Sequence, residues 1–398
     1  MTKDAGNDER DPTPRGVWAT RADAAGRAVH TRHLRRVWGL PGTRLGLMHW
    51  PPSGVDRLGV GSWGYWWQAH LLDCSIDAWL RSPTPDRQRI IREVSRGIRL
   101  RNARWTNDYF DDMAWLGLAL QRAAETADVE HPKALRLLID QLHGAWTEQA
   151  GGGIWWRRID RYPDDFKNVP ANGPAAILLA RSTRFGGPAA DLDRAIRMAD
   201  WIEARLIDPA TGLAWDGLRV DLDADPASTP PGSDIRSVVK KIYTYCQGVF
   251  IGACVELALA TEDEQWWERA VRTINAVATE LADADGVLPG HGGGDGGLFG
   301  GILARYLALA AAALPVRYAE AADTASNLVL SSAASAWNNR AVADGGPLFG
   351  PSWTTPARVP GSESATARPG KERDLSVQLG AWMLLEAAAQ IERQPPPS

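Results

Sequence analysis

Apolar residues recur at intervals of three and four from about residue 18 to the C-terminus, and two-residue alternation is scarce. The pattern predicts roughly twelve helices, near 20–37, 62–81, 84–98, 106–126, 132–149, 166–184, 189–206, 238–260, 262–282, 295–313, 317–338 and 372–393. Their separators are turn formers, among them Ser82-Pro83-Thr84-Pro85, Gly151-Gly152-Gly153, Gly186-Gly187-Pro188, Pro230-Pro231-Gly232 and Gly292-Gly293-Gly294. The helices alternate in character. Odd-numbered ones are striped and charged, as in Asp191-Leu192-Asp193-Arg194. Even-numbered ones from the second onward are rich in Ala, Gly and Leu, as in Gly173-Pro174-Ala175-Ala176-Ile177-Leu178. A helix that is apolar nearly all round is buried on every side, whereas a striped helix covers something. Six buried helices alternating with six striped ones predict an all-α fold, the (α/α)₆ barrel. It forms a single domain over residues 17–393, between a disordered tail at 1–16 and a flexible one at 394–398. A solenoid of helix pairs is the rival, and no fixed-period repeat supports it.

Polar and aromatic clusters fall at the N-terminal ends of the even helices: Trp63-Gly64-Tyr65-Trp66-Trp67-Gln68, Asn107-Asp108-Tyr109-Phe110-Asp111-Asp112, Lys167-Asn168, Tyr243-Thr244-Tyr245-Cys246-Gln247-Gly248 and Asp295-Gly296-Gly297-Leu298-Phe299. In an alternating ring these ends meet at one mouth, so scattered signals become one expected site. The Pro/Gly-rich stretches 221–236 and 341–370 are its expected walls.

Composition narrows the chemistry. The net charge of −4, with no long basic run, argues against a nucleic-acid partner, which needs a concentrated basic surface. Cys74, Cys246 and Cys254 are too few and scattered for a disulfide framework, and no CxxC or His-rich cluster points to a structural zinc. The polar N-terminus has no apolar signal region, and no uninterrupted apolar stretch reads as long enough to span a bilayer. As written the chain reads as cytoplasmic and without a membrane partner, or as secreted if a leader precedes this start. There are 19 Trp against 7 Tyr and 6 Phe. A large helical core would use them, and so would a sugar cleft, where indole faces cover the apolar faces of pyranose rings.

Asp111-Asp112 stands before a buried helix and among aromatics. Adjacent helical positions point about 100° apart, but at the first turn both carboxylates can reach into the mouth, where the helix dipole favours them. They read either as an N-terminal capping pair or as a catalytic pair. Two carboxyls about 5–5.5 Å apart suit retaining glycoside hydrolysis, and mutual repulsion would keep one of them protonated near neutral pH. A magnesium site is the poorer reading, because Trp115 holds position i+4 from Asp111 and no partner Asp-rich helix exists. Asn168, Asn172, Gln68 and Gln247 read either as structural amides or as ligands of sugar hydroxyls. His70 shows no acid–base partner, and serine-elbow and phosphate-loop motifs are missing.

Taken in order, these segments resemble glycoside hydrolase family 76, the endo-acting α-1,6-mannanases, from about Trp63 to Ala389. The most specific is Tyr109-Phe110-Asp111-Asp112-Met113-Ala114-Trp115. It is followed by Gly153-Ile154-Trp155-Trp156, Lys167-Asn168 with Ala171-Asn172-Gly173, and Asp208-Pro209 through Asp216-Gly217. Thr244-Tyr245 with Gln247-Gly248, Leu298-Phe299 with Arg305-Tyr306, and Trp337-Asn338-Asn339-Arg340 complete the set. The resemblance implies retaining hydrolysis of α-1,6-mannan, with Asp111 as nucleophile and Asp112 as acid/base; the chain is expected to act as a monomer with no cofactor or metal. The resemblance also implies subsites lined by Trp66, Trp67, Gln68, Tyr109, Trp115, Trp155, Trp156, Asn168, Asn172, Tyr245, Gln247 and Phe299. Cys246 and Gly300 depart from the family pattern, which usually has Asn and Lys there. The alternatives are a catalytically silent or altered-specificity glycan-binding relative, or another barrel enzyme such as an epimerase or an unsaturated-uronyl hydrolase. Epimerases of this shape rely on His pairs, and anionic substrates would want an Arg cluster, for which Arg157-Arg158 is the nearest candidate.

Overall fold

A computed structural model of the protein describes residues 16–57, 61, 63–162, 164–225, 228–361 and 371–393. Nearly all of both expected tails lies outside the described residues. Among these residues there are twelve long helices: α1 (Val17–His33), α2 (Tyr65–Arg81), α3 (Pro85–Arg101), α4 (Phe110–Ala127), α5 (Pro132–Gly144), α6 (Val169–Ser182), α7 (Ala189–Leu206), α8 (Thr244–Thr261), α9 (Glu264–Glu280), α10 (Gly296–Ala313), α11 (Ala319–Asn338) and α12 (Leu375–Glu392). The even helices form the inner ring: each packs on the next, and α12 closes on α2. Each odd helix leans on an inner neighbour from outside. The (α/α)₆ double ring is thus complete.

Sequence explains the sorting. On α9 the buried residues Trp266, Trp267, Ala270, Thr273, Ile274 and Val277 keep three- and four-residue spacing, so one stripe faces inward. On α12 every residue from Leu375 to Ala389 is buried. Inner helices approach closely where glycines face each other: a Cβ on Gly301 of α10 would meet the carbonyl oxygen of Gly380 of α12 at 2.5 Å. Two inner helices, α8 and α10, are long and apolar enough to pass for membrane spans. This corrects the sequence reading that no stretch qualifies. In the barrel most of their surface is covered by neighbours.

Loop lengths make the two ends of the barrel unequal. At the ends where even helices finish, the connections are short: 82–84, 128–131, 183–188, 262–263 and 314–318. Thr84 caps α3 ahead of Pro85, and Asp263 caps α9. The connections into the even helices are long: 34–64, 102–109, 145–168, 207–243, 281–295 and 339–374. A half-buried ion cluster closes the opposite end of the bore, where Asp73 and Asp77 of α2 are bridged by Arg122 of α4 and Arg305 of α10. The open end is therefore the mouth.

The mouth carries strands that helical periodicity hides. β1 (Leu34–Arg35) and β2 (Leu45–Gly46) form a ribbon after α1. β3 (Phe166–Asn168), β4 (Trp215–Val220) and β5 (Ile235–Ile242) form an antiparallel sheet in that order. β6 (Ala341–Ala343) and β7 (Gly346–Leu348) form a second ribbon. Residues 166–168 and 238–242 were expected at helix starts and are strands, because pairing with β4 satisfies their backbone groups instead. The expected wall at 221–236 is mostly the connection between β4 and β5, and the one at 341–370 begins with the β6–β7 ribbon.

Candidate active site

The backbone seam at the start of α4 fixes the two aspartates. Asn107 accepts from the Tyr109 N–H at 3.0 Å, forming a turn that delivers Tyr109, in extended conformation, to the helix entrance. The Phe110 N–H donates to the Trp156 carbonyl at 2.9 Å, and the Trp156 N–H donates to the Phe166 carbonyl at 2.9 Å. Isolated bridges thereby stitch the helix entrance, the 154–157 segment and β3 together. Asp111 and Asp112 follow in the first turn, both half-buried.

Their environments differ. Asp111 accepts from the Asp112 N–H at 2.9 Å through Oδ1 and from the Trp156 indole at 3.1 Å through Oδ2. Burial raises its pKa to about 7, and those N–H groups hold it back from rising further. Asp112 is pushed well above the usual carboxylate range by burial and then by the Asp111 charge, with only the Asn107 amide opposing. Of the two, Asp111 is the one that ionises first, as pH passes about 7, and Asp112 is the one that holds its proton longer. A nucleophile and an acid need that division.

Aromatics surround the pair. The Tyr109 and Trp156 rings meet edge to face at 5.2 Å on one side. Across the mouth Tyr245 and Phe299 stack at 3.9 Å with an interplanar angle of 6°, beside Trp66, Tyr243 and His291. Asp295, at the entrance to α10, accepts from the Trp66 indole at 3.1 Å and the Trp67 indole at 2.8 Å. Its charge also raises the pKa of both Asp111 and Asp112, which ties the two walls to one centre. Asp216 of β4 is half-buried and, among the described residues, accepts no hydrogen bond. Burial raises its pKa to about 6, and its charge reaches Tyr245, as does that of Asp111.

Several expected ligands are structural instead. Gln68 bonds both ends of its amide to the backbone of Gly46, and Gln247 does the same to Ala214. Asn172 bonds both ends to Ile154, and Asn168 caps α6 through the Ala171 N–H. All four are buried and bonded to backbone, which matches the structural role, one of the two that the sequence left open for them. Trp155, Trp67 and Trp115 are core residues with at most 5% exposure. Trp155 lies beneath the Lys167 ammonium, and Trp115 lies against His70. Their role is to hold Trp156, Asp295 and the α4 entrance in place. Of the expected site residues, the mouth gathers Asp111, Asp112, Trp66, Tyr109, Trp156, Tyr245 and Phe299.

Asn107 and Asp295 lie in clusters that the sequence places at the mouth and Asp216 in a segment of the resemblance, but the sequence reading gives none of the three a role of its own. Asn-Asp-Tyr before a helix is a turn signature that points to Asn107. Nothing local distinguishes Asp216 or Asp295 from a solvated carboxylate. Arg157 is held by Asp164, and Arg158 by Asp108 and Gln141, so the expected candidates for an anion site are engaged elsewhere.

The sequence profile of Glycosyl hydrolase family 76 matches residues 22–373. The chain belongs to this family. Among solved structures it resembles an α-1,6-mannanase, GH76A, of Salegentibacter sp. HEL1_6, with TM-score 0.76 and 29% identity over 94% of this chain and 99% of that one. A variant of that mannanase described as inactive, with two consecutive aspartates changed to asparagine, has been solved with α-1,6-mannotriose; it gives TM-score 0.77 and 28% identity over 94% and 99%. A mannan endo-1,6-alpha-mannosidase, DCW1, of Candida glabrata is 27% identical over 53% of this chain and 49% of its own. The chain thus spans about half the length of that relative.

The two departures from the family-76 pattern have structural correlates. Cys246 is wholly buried on α8, and burial and the nearby Asp216 charge keep its thiol protonated. At Gly300 a Cβ would meet the Trp353 ring at 2.8 Å, so an indole fills the space where a side chain would start.

Proposed function

We propose that the protein is a retaining glycoside hydrolase that cleaves α-1,6-mannosidic linkages in mannan or mannosylated glycans. The observation that carries the reading is the unequal treatment of two adjacent carboxylates at one aromatic-walled mouth: Asp111 accepts from two N–H donors, the Asp112 N–H and the Trp156 indole, whereas Asp112 accepts from the Asn107 amide alone. In this reaction Asp111 Oδ attacks the anomeric carbon as Asp112 gives its proton to the departing glycosidic oxygen. Asp112 then takes a proton from water, which attacks the glycosyl–Asp111 ester and restores both carboxyls. The aromatic walls present flat faces for pyranose rings, and the carboxylates offer acceptors for hydroxyls.

The family membership and the mannanase likeness support this assignment of substrate. So does the fate of this chain's other consecutive pair, Asp164–Asp165, which is bound up with Arg157, Arg219 and Arg236. Asp111–Asp112 is thus the pair we match to the two aspartates changed in the inactive mannanase. Incubation with linear α-1,6-linked mannan and with α-1,2- and α-1,3-linked manno-oligosaccharides tests the reading. Shorter oligosaccharides should appear from the α-1,6 substrate alone. Equal release from all three would refute the linkage, and no release from any would refute the activity.

A further inference from the structure

A row of side chains in contact lies outside the catalytic pair. Trp38 stands in the loop between β1 and β2 and is 48% exposed. Its backbone is left-handed, with φ 48° and ψ 30°. A bulky residue is disfavoured there, whereas glycine is at ease. An indole left half in water recovers little of that through burial. Fold stability alone therefore does not account for Trp at this position.

Trp38 has one notable neighbour. The guanidinium of Arg101, the last residue of α3, lies 5.8 Å from the Trp38 ring and 5.7 Å from the Trp63 ring, bridging the two indoles. Arg101 also donates to the Gly61 carbonyl at 3.3 Å, which fixes its head. The Trp63 ring is 5.9 Å from that of Tyr65, at the entrance to α2. Tyr65 donates to the Trp105 carbonyl and lies within the field of Asp112. The row Trp38–Arg101–Trp63 thus runs from an exposed loop to the buried Tyr65 at the entrance to α2, next in sequence to the mouth residue Trp66.

We propose that Trp38, Arg101 and Trp63 form a distal subsite for a neutral glycan chain, holding sugar units that extend out of the mouth. Indole faces suit the C–H faces of sugar rings, and a fixed guanidinium offers several N–H donors to hydroxyls. Continuity with the mouth selects a longer stretch of the same chain as the occupant. The inference rests on the glycan-hydrolase reading of that mouth.

The test compares α-1,6-linked mannotriose with mannohexaose in wild type, Trp38→Gly and Trp38→Phe. Trp38→Gly removes the indole and relieves the left-handed backbone, so its Tm should equal or exceed that of wild type. Its kcat/KM on mannohexaose should fall about 3- to 10-fold, with mannotriose unchanged. Trp38→Phe should recover part of the loss. Equal effects on both substrates, or none on either, would overturn the subsite. If wild type cleaves neither, the catalytic reading fails separately, and calorimetric binding of mannohexaose decides the subsite. Weaker binding by Trp38→Gly would support it, and equal binding would overturn it.

Discussion

The indole N–H of Trp156 donates to Asp111 Oδ2 at 3.1 Å, while the carbonyl of the same residue accepts from the Phe110 N–H at 2.9 Å. One residue therefore helps hold the helix entrance and, beside the Asp112 N–H, favours the ionised form of its first carboxylate. A donor to a carboxylate favours the ionised form.

Removing that donor should be visible in the pH profile. In Trp156→Phe, Asp111 loses an N–H that holds its pKa down against burial. The acidic limb of kcat/KM, which reports ionisation of the nucleophile, should move to higher pH. The value at neutral pH should fall about 10-fold or more, since the helix entrance also loses a restraint on geometry. An unmoved acidic limb would remove Trp156 from control of the nucleophile.

The pair should also weaken the fold in a pH-dependent way. Asp111 has its folded pKa raised to about 7 from the ordinary 3.8, so folding favours its protonated form. That penalty is absent below the unfolded pKa, grows as pH rises towards 7, and is complete above it. Asp111→Asn should therefore be more stable than wild type at pH 8, by about 1–3 kcal/mol. The gain should vanish near pH 4, and thermal melts at the two pH values measure it directly.

Lys167 is the positioning residue whose loss should be most damaging. Its ammonium is wholly buried and donates to the carbonyls of Thr147, Gln149 and Gly152 at 3.1, 2.7 and 2.7 Å. Burial lowers its pKa to about 7, yet three acceptors match the three hydrogens that only the ammonium form supplies. Lys167→Met would strand those acceptors and loosen the turn leading to Trp156. We expect a loss of about 3 kcal/mol in denaturant melts and a fall in kcat larger than that of a surface lysine variant. A Tm within about 1 °C of wild type would contradict the clamp.

Much of this was legible in the chain. Amphipathic stripes on the odd helices and continuous burial on the even ones follow from composition along each helix, so the double ring could be read residue by residue. The positions of Asp111 and Asp112 came with it. The mouth-side sheet was not legible, because Phe166–Asn168 and Val238–Ile242 abut helices and are made strands by a distant partner, β4. The amides stayed ambiguous for a related reason. Gln68, Gln247 and Asn172 sit near the mouth in sequence, but only the folded backbone shows that Gly46, Ala214 and Ile154 occupy both ends of each. Asp216 and Asp295 act through neighbours far along the chain, and closure of the ring is what brings them to the site.

The account stands most directly on turnover of a linear α-1,6-manno-oligosaccharide by wild type, Asp111→Asn and Asp112→Asn, with the anomer of the first product followed by NMR. It predicts cleavage with retained configuration, and kcat lower by several orders of magnitude in both variants while each stays folded. Inversion of configuration, or a folded wild type that cleaves nothing, would contradict it.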